Sequence, residues 1–226
     1  MFKRVFYIMF HLNIVFVISQ SALQNFGNIQ IHNDGKLGFH INLINDGTFN
    51  MNEGLAGFYS SEGSLSISGT QILQFHNMEI DIANSLNLDI NTIVTNTLSY
   101  LNGYLITPRD FPKISLDFSE NSNYLFESDS RHTNGYVNKI GQNMFTFPIG
   151  DYGKIRPLSI PFQPISTNFN AAYFFEDPNF PSTFNTSFDT TQMDSYLNKV
   201  SIEEFWDFNG EITTSVKLTW NSLSDI

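Results

Sequence analysis

An all-β fold is predicted for this chain of 226 residues by three observations. Short apolar runs alternate residue by residue with polar ones, which is the period of a half-buried strand. Small triplets ending in glycine recur between those runs. The composition is low in charge, at 15%, and rich in Phe and Asn, with 23 and 26 copies, which suits strands and turns better than a helical bundle.

The chain opens with a targeting pattern. "MFKR" is a short positive stretch, residues 5–18 are mostly apolar, and Ser19 and Ser21 place small residues before Ala22. This predicts a signal peptide over 1–21, cleaved between Ser21 and Ala22. His11 and Asn13 interrupt the run, which is shorter than the roughly 20 residues of a spanning helix. The mature chain is therefore expected to lack a transmembrane segment and to lie outside the cytoplasm, secreted or on the outer-membrane surface, with the secretion machinery as a partner. It carries no cysteine, so no disulfide framework supports it. The formal charge of -11 gives no basic footprint for nucleic acid.

Residues 33–69 repeat one phrase. Asn33-Asp34-Gly35 returns as Asn45-Asp46-Gly47, followed by Asn52-Glu53-Gly54 and Ser61-Glu62-Gly63. Asn, Asp and Gly tolerate positive φ, so these read as turns. Between them Leu37 and Phe39, then Leu65 and Ile67, alternate with polar residues. Either hairpins or the successive corners of a solenoid explain the spacing.

Residues 78–106 continue the pattern. Met78, Ile80 and Ile82 alternate with Glu79 and Asp81, Leu86, Leu88 and Ile90 with Asn87 and Asp89, and Leu98 and Tyr100 follow before Asn102-Gly103. Short strands with regular polar corners are what a stacked β-coil requires. An antiparallel sandwich uses the same alternation, and periodicity alone does not separate them. In the stacked arrangement, over 28–107, Leu65, Ile67, Ile80, Ile82, Leu86, Leu88 and Ile90 point inward, with Glu79 and Asp89 exposed.

Residues 145–160 read as strand, turn, strand, with Phe145, Phe147 and Ile149 on one face and Pro148 marking an edge or terminal strand. Arg156 either pairs with Asp151 across that turn or is a surface residue of little energetic weight. Beyond Pro164 sustained alternation stops. Residues 178–194 read as a loop or linker. Phe205, Trp206 and Phe208 then form an aromatic patch, and Val216, Leu218 and Trp220 alternate again.

Chemistry-bearing motifs are few. The histidines, His11, His32, His40, His76 and His132, have no partner at metal-ligand spacing. Nucleophile-elbow and phosphate-loop patterns are missing. Glu79, Asp81 and Asp89 form either a carboxylate row suited to calcium or sugar chemistry or a solvated strand face. The aromatic patch either stacks on sugar rings or is core. No catalytic, cofactor-binding or metal residue is assigned, and no cofactor is expected.

Two phrases carry a resemblance. Phe75, Asn77, Met78, Ile80, Leu98, Asn102, Gly103, Ile106 and Thr107 fit a pattern common in large exported surface proteins of Bacteroidota. Gly135, Val137, Lys139, Gly141, Phe145, Phe147, Pro148, Gly150, Asp151, Arg156 and Pro157 fit a second phrase that often follows the first. The region of resemblance is roughly 25–162, similar to the N-terminal region of gliding-motility-associated proteins and type IX secretion cargo. The resemblance implies a β-solenoid, parallel β-helix-like, as a stalk or adhesin-like module, and tips the choice from sandwich to solenoid. No C-terminal sorting domain is recognised.

The expected organisation is a signal peptide (1–21), a β-solenoid-like domain (22–164), and a linker with an incomplete, partly β-sandwich-like segment (165–226). The expected function is a secreted or cell-surface structural and adhesive module without catalysis, the N-terminal part of a larger exported protein, in contact with surface glycans or other cell-surface proteins. The alternative is a carbohydrate-active module, binding polysaccharide or cleaving it as a β-helix lyase.

Overall fold

A computed structural model describes residues 21–222 and 224, so most of the expected signal peptide lies outside the described residues. Among the described residues there is no helix, and the strands coil into a β-solenoid of about 6 turns.

The first coil holds β1 (Ala22–Asn25) and β2 (Lys36–Phe39), and the second holds β3 (Asn42–Asn45) and β4 (Leu55–Ser60). Next come β5 (Leu65–Gly69) and two long strands that turn corners, β6 (Leu73–Leu88) and β7 (Thr92–Ile106). Then follow β8 (Leu116–Phe118), β9 (Asn123–Leu125), β10 (Thr133–Asn134) and β11 (Val137–Gly141). The last elements are β12 (Phe145–Phe147), β13 (Gly150–Asp151), β14 (Lys154–Ile155), β15 (Leu158–Ile160), β16 (Thr167–Phe174) and β17 (Phe205–Gly210).

Pairing is parallel from β1 to β11, which settles solenoid against sandwich. One column stacks β1, β3, β5 and the ends of β6 and β7, closing on β10. A second stacks β2, β4, the middles of β6 and β7, and β9. The third stacks the starts of β6 and β7, then β8 and β11. Parallel neighbours cannot be joined by tight hairpins, so the glycine triplets are corners. Register shifts within the β6–β7 pair between Phe75 and Asn77, and between Ile80 and Ser85, mark where these strands bend.

The triplets look alike but act differently. Asp34 and Gly63 do adopt positive φ. Gly47 and Gly54 do not, and their requirement is room. A Cβ on Gly47 would lie 2.3 Å from the Gly27 carbonyl oxygen, and one on Gly54 would lie 2.3 Å from that of Gly35. Successive corners stack backbone on backbone, which only glycine permits.

The asparagines stitch these corners together. Asn25 Nδ2 donates to Asn45 Oδ1 at 2.8 Å, and Asn45 Nδ2 donates to the Gln71 carbonyl at 2.9 Å. Asn52 Oδ1 accepts from the Ile31 amide at 2.8 Å, and its Nδ2 donates to the Gln74 carbonyl at 2.7 Å. An Asn can donate and accept at once, so each bridges two coils and satisfies backbone groups the corner would otherwise bury unpaired.

The interior is apolar and aromatic. Phe39 stacks on Phe58 with centroids 4.9 Å apart, and Phe49 and Phe58 meet Phe75 edge-on at 5.2 and 5.8 Å. Leu65, Ile67, Ile80, Ile82, Leu86 and Leu88 are buried as expected. Ile90 is half-buried against the same core. Asp89 is exposed, but Glu79 is half-buried rather than exposed, because it accepts a hydrogen bond from Tyr59 at 2.9 Å.

The solenoid's far end is closed by antiparallel strands. β16 pairs with β11, the last parallel rung, and β17 pairs with β16. β12 and β15 form a separate antiparallel pair, whose Phe145 and Phe147 carry the interior aromatic stack onward from Phe118 and Tyr124. The two C-terminal apolar runs of the sequence therefore go to different partners. β17 joins the main sheet, and Lys217 bridges Ser159 through two backbone hydrogen bonds of 2.9 Å. Trp220 stays 67% exposed, while Leu218 packs against the core.

Candidate functional site

Two places gather chemistry-bearing side chains: the closed end and the outer face of the second column. At the closed end β13 ends on Asp151, which is buried. Arg109 Nη2 pairs with Asp151 Oδ2 at 3.0 Å and donates to the Tyr173 carbonyl at 3.0 Å. Asp151 also accepts from the amides of Tyr152 and Phe175 at 2.8 and 3.1 Å. Both oxygens are occupied by structural donors.

Arg156 does not pair with Asp151, nor is it a surface residue. It is 5% exposed, its Nε lies 3.4 Å from Glu204 Oε2, and its Nη1 donates to the Ile155 carbonyl. Tyr173 Oη also donates to Glu204. Burial, then that bond, pushes the Tyr173 hydroxyl well above the ordinary tyrosine range. Lys139 is 2% exposed and donates Nζ to the carbonyls of Ser119 and Glu120, at 2.5 and 2.9 Å. Burial lowers its pKa. These charges bind one strand of the end to the next.

The aromatic patch belongs to the same closure. Phe205 stacks on Phe174 at 4.8 Å, Trp206 lies on Tyr173 at 5.1 Å, and Phe208 stacks on Phe169 at 5.3 Å. Each β17 ring covers a β16 ring, and the Trp206 indole donates to the Arg156 carbonyl at 3.1 Å. One ring face of each is spent on packing.

Asp117, in β8, is buried, and desolvation lifts its pKa to about 6 despite the hydroxyl of Ser115 and the amide of Asn138 beside it. The folded chain thus keeps a proton that the unfolded chain loses near pH 3.8. Its contribution is complete below that pH and is lost as pH rises through about 6. Asp117→Asn is expected to raise stability at pH 7.5 by about 3 kcal/mol and to change it little near pH 3.5. Urea melts of both proteins at the two pH values check this; an equal difference at both would contradict it.

The carboxylate row is split. Glu79 and Asp81 both point outward from the middle of β6. β6 bends between Ile80 and Ser85, so Asp89 stands beyond the far end of the strand, where its amide pairs with the Ile67 carbonyl. Glu79 and Asp81 instead meet residues that the sequence did not group with them. Across the rungs, Tyr59 is the register partner of Asp81, and Asp81 is that of Asn102. Tyr59, Asp81 and Asn102, with His40, Ser60, Ser61 and Ala83, line a groove of about 550 Å³, and Glu79 holds the Tyr59 hydroxyl at its edge. The missing signal was the coil spacing of about 20 residues, which stacks positions that are distant in sequence.

Among the described residues no group of three or more His, Cys, Asp or Glu side chains is placed to hold a metal ion. His132 is fully buried, His76 lies 3.2 Å from the Thr95 hydroxyl, and His40 stands at the groove. No helix among the described residues is long and apolar enough to cross a membrane. Comparison with protein-family models, with curated proteins and with solved structures finds no match to this chain.

Proposed function

We propose that this chain is a structural and adhesive β-module, the N-terminal region of a larger exported protein of the gliding-motility and type IX cargo kind. It would stand in the medium or on the outer-membrane surface and make contact with surface glycans or other surface proteins. The observation that carries this reading is the fate of the second shared phrase. Lys139, Asp151 and Arg156, its charged matches, are all consumed in binding the last rungs together. A phrase that encodes a solenoid's closure supports a role resting on length, stability and exposed faces. Export rests on the leader pattern of residues 1–21.

The test is retention. Beads coated with the purified chain are passed over bacterial cells and polysaccharide films, and the eluate is assayed for new sugar ends. Retention without depolymerisation is expected. Release of oligosaccharides, or no retention on any surface, would contradict the reading.

A further inference from the structure

Tyr59 is held in an unusual posture. Side chains on a strand stand roughly perpendicular to the sheet. A Cβ added at Gly57 would lie 2.1 Å from the Tyr59 hydroxyl oxygen and 2.3 Å from its Cζ. The ring therefore lies down along the sheet over Gly57, two residues back on its own strand. Gly38 is the register partner of Gly57 on β2, and a Cβ there would approach the same ring to 3.3 Å. On the other side of Gly57 stands Glu79, whose carboxylate accepts the Tyr59 hydroxyl at 2.9 Å. Burial, then that hydrogen bond, pushes the hydroxyl's pKa up to about 12, so it stays a donor.

Glycine is unfavourable inside a strand. Two of them, side by side on adjacent rungs, clear a floor for one aromatic ring. The ring borders the 550 Å³ groove, whose other walls are His40, Ser60, Ser61, Asp81, Ala83 and Asn102. Hydroxyl, amide and carboxylate groups, with the His40 ring and the Ala83 methyl, thus border an aromatic surface fixed at both ends.

We propose that this groove binds a neutral pyranose ring of a glycan, stacked on Tyr59 with its hydroxyls bonded to Asp81, Asn102 and Ser61, the Ser60 hydroxyl being already bonded to the Glu62 backbone. The negative face of an aromatic ring favours polarised C–H groups, which a pyranose presents beside its hydroxyls. Glu79, Asp81 and the overall charge of -11 disfavour acidic sugars. A quaternary ammonium also suits an aromatic face, but such cations are held by cages of several rings; here Tyr59 has beside it only the tilted His40 ring, with centroids 5.5 Å apart, and Ser60, Ser61, Asp81 and Asn102 bring hydrogen-bonding groups. The proposal rests on the adhesive reading above and names the chemistry that its surface meets.

Saturation-transfer NMR on the full chain tests it, using methyl β-D-glucopyranoside, methyl β-D-galactopyranoside, methyl α-D-mannopyranoside and choline chloride as separate probes. At least one glycoside is expected to receive saturation at its ring C–H protons. Tyr59→Ser should weaken that binding at least tenfold. Gly57→Ala should weaken it too, by displacing the ring while leaving Asp81, Asn102 and Ser61 unchanged. If Gly57→Ala does not fold, Tyr59→Ser decides alone, with its melting temperature recorded as a control. The proposal is overturned if no glycoside saturates, if binding survives Tyr59→Ser, or if only choline binds. Bead retention with no glycoside binding would remove the platform and leave the adhesive reading. Glycoside binding without bead retention would do the reverse.

Discussion

Ile80→Asp is expected to destabilise the chain by several kcal/mol, enough to consume much of the 5–15 kcal/mol typical of a folded domain. Ile80 is fully buried in the middle of β6, with Phe58 as its register partner on one rung and Tyr100 on the next. An aspartate there would set an unpaired carboxylate among aromatic rings. Glu79→Lys, one residue away on the opposite face, loses only the Tyr59 hydrogen bond and should cost about 1 kcal/mol. Urea melts compare the two. The reverse order would mean that the strand is out of register by one residue, which exchanges inside for outside along its whole length.

Glu204→Ala is expected to cost about 3–5 kcal/mol, the usual penalty for stripping one partner from a buried ion pair. The side chains of Arg156 and Glu204 are only 6% and 2% exposed. Removing Glu204 strands the guanidinium and leaves the Tyr173 hydroxyl without its acceptor. Arg156→Met combined with Glu204→Leu should recover most of the loss, since a buried pair is often no more stable than an apolar replacement. Denaturant midpoints of the single and double variants check this. A single variant with an unchanged midpoint would show that the pair does not hold the end of the solenoid.

The interior of this fold was legible because a stacked coil makes simple demands on sequence. Ile80, Ile82, Leu86 and Leu88 alternate with polar residues because each strand has one face in the core. The corners were legible as turns, hairpin or solenoid, but the reason for their glycines was not. Gly47 and Gly54 answer to the carbonyls of Gly27 and Gly35 on the preceding coil, a contact that no local turn preference encodes. The closed end was misread for the same reason at longer range. Arg156 finds Glu204 across 48 residues of chain, and Asp151, its near neighbour in sequence, belongs to Arg109. The outer groove was half legible. Glu79 and Asp81 stood out as carboxylates on one face, while Tyr59 and the glycines beneath it could be grouped with them only once the rungs were in register.

Hydrogen exchange of the native chain, followed peptide by peptide, tests the central claim most directly: a parallel solenoid closed by its own C-terminal strands. Amides of β17, at 205–210, should be protected together with those of β16, at 167–174, and both should exchange far more slowly than the intervening loop at 178–201. Peptides from β6 and β7 should be the slowest of all. Exchange of 167–174 and 205–210 at loop rates, with β6 and β7 still protected, would contradict the account by making those strands a separate segment rather than the closure of the coil.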